Sequence, residues 1–74
     1  MDIRLTASQN KEMHDLIDFL AFALFVHSIE LVESARVSIG SFCANLEECG
    51  AISKNKSSAL FDYMIEEAQK RDHL

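Results

Sequence analysis

Three histidines and two cysteines are the side chains best suited to chemistry in this 74-residue chain: His14, His27, His73, Cys43 and Cys49. Imidazoles and thiolates bind transition metals and serve as bases and nucleophiles, but only where their spacing brings them to one point. No two histidines stand at i, i+4, the spacing that presents a pair on one helix face to zinc. On a helical wheel His14 and His27 project to nearly opposite sides, and Cys43 and Cys49 fall about 120° apart, so a straight helix cannot close either pair on one metal. Nothing pairs a nucleophile with a base. The pattern therefore predicts no metal, no cofactor and no enzymatic activity.

The cysteines read as reduced thiols, because the first residues are charged and no early apolar run ends in a cleavage site. Cys49 reads as a small core residue beside a turn, where unpaired cysteines usually sit. Cys43 falls at the edge of the apolar stripe. His27 falls on the stripe between Leu24 and Leu31, with Ser34 and Ser38 on the same side. One reading makes it a pH-sensitive group that loosens a dimer as pH falls. The preferred one makes it a structural core residue, hydrogen-bonded to Ser34, Asn45 or a backbone carbonyl, since buried polar groups normally have partners.

A second kind of chemistry is anion binding. Lys54-Asn55-Lys56-Ser57-Ser58 opens a helix, and the N–H groups of a helix N-terminus can receive phosphate. Lys54, Lys56 and Ser57 are the candidate contacts for a nucleic acid. The charge distribution weighs against that partner. Residues 1–52 hold three cations against eight carboxylates, residues 53–74 hold four against four, and the whole chain carries -5. An acidic surface repels phosphate backbones. A helix-turn-helix reading around Gly50 and Ser53 also fails, because the second helix carries Asp62, Glu66 and Glu67.

These residues need elements to position them. Proline is absent and glycine occurs twice, which favours long helices over a β-fold with many turns. Residues 1–7 read as a short extended or disordered lead, and residues 8–74 as one helical domain. Thr6 followed by Gln9 forms a capping-box pattern, with Ser8 and Asn10 as alternative caps. At 100° per residue Met13, Leu16, Ile17, Leu20, Leu24, Leu31, Val32 and Ala35 share one side, and Ile39, Phe42, Leu46 and Cys49 continue in the same phase. That continuity predicts one helix from about residue 8 to Cys49. The rival reading breaks it near Gly40 and gives three helices. Gly50 can close the helix in the left-handed conformation, and Ser53 or Asn55 can cap a return helix over about residues 53–71. Its stripe is Ser57, Leu60, Phe61, Met64, Ile65 and Ala68.

The expected architecture is all-α, a hairpin of unequal arms roughly 60 Å and 25 Å long. In it the short arm cannot cover residues 19–26, Phe-Leu-Ala-Phe-Ala-Leu-Phe-Val, which are apolar on every side. This run is too short to span a bilayer. Phe19, Phe22, Ala23, Val26 and Ile29 are therefore the expected interface, completed as a homodimeric bundle. Phe22→Glu is expected to unfold such a chain. The functional expectation is a small acidic cytoplasmic protein that dimerises and acts by binding another, unidentified protein, as a regulator, inhibitor or adaptor. A nucleic-acid-binding hairpin dimer stands second. An apolar-ligand binder, with Phe19, Phe22 and Phe25 between helices, stands third.

Overall fold

The chain enters its first helix through the capping box. In the computed structural model, which describes residues 4–72, the Gln9 backbone N–H donates to Thr6 Oγ1 at 3.1 Å, and the Thr6 N–H donates to Gln9 Oε1 at 3.0 Å. Helix α1 follows as Ala7–Phe25, α2 as Ile29–Glu48 and α3 as Lys54–Asp72. The all-α expectation holds, and among the described residues there is no strand. Residues 4–6 of the expected lead are non-helical, though Leu5 already packs on the core, and residues 1–3 lie outside the described residues.

The long first helix does not form, and its break is not at Gly40. Gly40 lies inside α2 with Phe61 beside it, and α1 instead stops at Phe25. The His27 N–H donates to Leu24 O at 3.1 Å and the Ser28 N–H to Ala23 O at 3.2 Å, with His27 at φ +56. This is a Schellman closure with His27 at its left-handed position. Ser28 then caps α2, its Oγ accepting from the Leu31 N–H at 3.2 Å. The apolar phase hides the break for a geometric reason. The connection consumes residues 26–28, close to one helical turn, so the stripe resumes on nearly the same side.

The second connection is the one anticipated. Gly50 has φ +80, its N–H donates to Glu47 O, and the Ala51 N–H donates to Leu46 O at 2.9 Å. Ser53 Oγ accepts from the Lys56 N–H at 3.3 Å, so Ser53 caps α3. Ile52 turns inward and closes the base of the core.

Each helix packs against the other two. Met13, Ile17 and Leu20 of α1 meet Ala35, Ile39, Phe42, Cys43 and Leu46 of α2 and Leu60, Met64 and Ala68 of α3. The recurrence of these positions at three and four residues is what puts one apolar face on each helix. Leu20 and Leu24 of α1, Val32 and Arg36 of α2, and Ile65 and Gln69 of α3 line one depression. The second halves of α1 and α3 thus flank the first half of α2, an up-down-up arrangement. Its longest dimension is 35 Å. The single chain builds a core of its own, which the unequal hairpin could not. Arg71 pairs with Asp18 and sets a second guanidinium nitrogen 3.2 Å from His14 Nδ1, tying the end of α3 to α1.

Candidate protein-interaction surface

The closure at residues 26–28 fixes what faces solvent at the corner between α1 and α2. Leu20 and Ala23 take the inward positions of the last turns of α1, and Leu24 is half-buried beside them. Phe22, Phe25 and Val26 are left outside at 56%, 70% and 42% exposure, and Ile29 opens α2 at 76%. Phe22 and Phe25, three residues apart, share the outer face of α1, and Val26 and Ile29 are exposed on either side of the connection, so apolar side chains surround the corner. Farther along α2, Val37 is also exposed. Full burial of one such side chain stabilises by about 1.5–3 kcal/mol, most of which the single chain does not gain at Phe25 and Ile29.

A depression at the corner is lined by Leu24, His27, Ser28, Ile29, Val32, Glu33 and Arg36. Its lining mixes apolar Leu24, Ile29 and Val32 with Glu33 and Arg36, which carry opposite charges. Ile29 belongs both to the exposed apolar residues of the corner and to the lining of this depression.

The expected interface residues divide. Phe22, Val26 and Ile29 are exposed as anticipated, Phe19 leans half-buried on the core, and Ala23 is fully buried within the chain. His27 is not on a buried stripe. It is exposed in the connection, and neither Ser34 nor Asn45 is its structural partner, because the break turns it out of the helix. Phe25, read earlier only as part of an aromatic cluster, is the most exposed phenylalanine of the corner. Its signal was available as its i+3 relation to Phe22. With Phe19 on the core and Phe22 and Phe25 in solvent, the three do not line one ligand cavity.

The cysteines exchange roles relative to expectation. Cys43 is buried in the core, which pushes its thiol up to about 11, and Cys49 is exposed, its Sγ donating to Leu46 O at 3.4 Å. Tyr63 is also pushed above its ordinary value, by desolvation and then by neighbouring Glu67. At the start of α3 the anion contacts separate. Ser57 is only 8% exposed and its hydroxyl donates to Cys43 O at 3.4 Å, so it braces α3 on α2 and is turned away from solvent. Lys54 and Lys56 are exposed, and Lys54 shares a depression with Glu47. Carboxylate beside lysine makes that hollow a poor phosphate cradle. His73 lies outside the described residues.

Among the described residues, no group of three or more His, Cys, Asp or Glu side chains is placed to hold a metal ion, and no helix is long and apolar enough to cross a membrane. No protein-family model matches this chain, and no curated protein or solved structure shows significant similarity to it.

Proposed function

We propose that this protein acts by protein–protein binding through the α1–α2 corner, and that the first occupant of that corner is a second copy of the chain. The observation that carries this reading is the exposure of Phe22, Phe25, Val26 and Ile29 around one connection. Together they present roughly 400 Å² of apolar side chain, the size of patch that often marks an interaction site. A two-fold contact uses the same patch on both copies, so the patch must be complementary to itself. Exposed apolar side chains next to a partly apolar depression, with Arg36 and Glu33 both in its lining, support a patch of this kind. A stable interface covers about 800 Å² per partner, so polar surface flanking the patch must be included. A dimer of this kind would be a small acidic regulator, inhibitor or adaptor, with its remaining surface available to a target.

Light scattering on the eluting full-length chain tests the reading. Wild type is expected at the mass of two chains, and Phe25→Glu at the mass of one with its helical circular dichroism unchanged. A wild type that elutes at the mass of one chain throughout the micromolar range would overturn it.

A further inference from the structure

Helix α3 stops short of the corner. Arg71, in its last turn, pairs with Asp18, about two turns before α1 ends at Phe25. The last turns of α1 and the first turns of α2 run on past it, and no residue of α3 lines the depression at the corner. Where α3 gives out, a second depression is lined by Leu20, Leu24, Val32, Arg36, Ile65 and Gln69. Leu20 belongs to the buried core, and Leu24, Val32 and Ile65 are half-buried hydrophobics packed against it. Four aliphatic side chains, one cation and one amide thus make up the lining, and no carboxylate takes part in it. Its volume of about 250 Å³ falls just below the roughly 300–1,000 Å³ of drug-sized pockets, so it suits a small occupant.

Arg36 is the group that gives this hollow a ligand chemistry. Among the described residues its guanidinium forms no ion pair, although Glu33 stands one turn before it on α2. A guanidinium presents a planar fork that receives a carboxylate through two parallel hydrogen bonds. Gln69 adds an amide able to donate to the same anion. An unpaired cation among aliphatic side chains matches a molecule that is anionic at one end and apolar along its length. We propose that this hollow binds a small aliphatic carboxylate, with its chain against Leu20, Leu24, Val32 and Ile65 and its head group on Arg36. A longer chain would continue into the corner depression, which shares Leu24, Val32 and Arg36 with this one. The site does not rest on the dimer reading, because Phe22, Phe25 and Val26 line neither depression.

Octanoate, octanol and octylammonium share a chain and differ in head group, so together they test the site. Each is titrated into the isotope-labelled full chain and followed by its amide NMR shifts. Nonspecific adsorption to a chain of charge -5 favours the cation. The site instead predicts octanoate binding roughly fivefold or more tighter than either of the others, with shifts centred on Leu24, Val32, Ile65 and Gln69. Arg36→Gln is expected to lower octanoate to the affinity of octanol, and Arg36→Glu to place octylammonium first, both with helical circular dichroism unchanged. Octanoate binding no tighter than octanol to the wild type would overturn the proposal. So would equal octanoate affinity in wild type and Arg36→Gln, or shifts centred on Phe22 and Phe25. The wild-type comparison decides the question even where a variant fails to fold.

Discussion

At φ +56, His27 holds a conformation that asparagine, aspartate and histidine enter more readily than other side chains, though still at a cost relative to glycine. His27→Gly is accordingly expected to stabilise the single chain by about 1 kcal/mol, read from the urea midpoint at low protein concentration. Gly50→Ala is expected to destabilise it by a similar amount, even though nothing lies within 4 Å of the added methyl, because the strain is in the backbone. Cys43 supplies a second test at this scale. Its thiol is raised from 9.0 to about 11 by burial, so the folded state favours the protonated form. The stabilisation is fully present below pH 9 and is lost as pH rises toward 11. Cys43→Ala should flatten that part of the pH–stability curve, and a thiol reagent at neutral pH should modify Cys49 and spare Cys43 until the chain unfolds. Residue environments were only partly legible from the sequence. The wheel identified Ile17, Leu20, Ile39 and Met64 as interior, because interior positions recur with the helical period. It misassigned His27 and Cys49, since both sit at helix ends where that period stops.

The elements are separated by caps more than by breaks in hydrophobicity. Thr6 with Gln9, Ser28 and Ser53 each satisfy N–H groups at a helix start. Ser28→Ala is expected to cost about 1 kcal/mol, measured by thermal or urea unfolding. Gly40 shows the opposite case. It sits in the interior of α2, and a methyl group there would meet the Phe61 ring at 3.9 Å, an ordinary contact. Gly40→Ala is therefore expected to raise stability by up to about 1 kcal/mol. Destabilisation by that substitution would show that α2 bends at Gly40 in solution. The Thr6 cap, the Gly50 turn and the stripe of α3 could all be read in advance, because each has a local signature. The end of α1 could not be read from phase, because a connection nearly one turn long leaves phase unchanged. The signal that marks it is chemical: a histidine that tolerates the left-handed conformation, followed by a serine able to cap.

At the scale of the whole molecule, the three helices give one chain a closed core, so folding and self-association are separable. Phe22→Glu, expected from the unequal hairpin to unfold the protein, is instead expected to leave a folded chain, because Phe22 is more than half exposed. The same substitution should abolish the dimer. Salt should act in the direction opposite to nucleic-acid binding. Two chains of charge -5 repel, and added salt screens that repulsion, while exposed pairs such as Lys11 with Asp15 contribute little. Dimer affinity is thus expected to rise between low and physiological ionic strength, and a steep fall would place ion pairs at the centre of the contact. The most direct test of the central claim, that the α1–α2 corner is where a second copy binds, is sedimentation equilibrium of the full chain from low micromolar to near-millimolar concentration. The expected result is a mass rising from one chain to two in the wild type and remaining at one in folded Phe22→Glu. A wild type at the mass of one chain throughout, or a Phe22→Glu variant that dimerises as tightly as wild type, would contradict it.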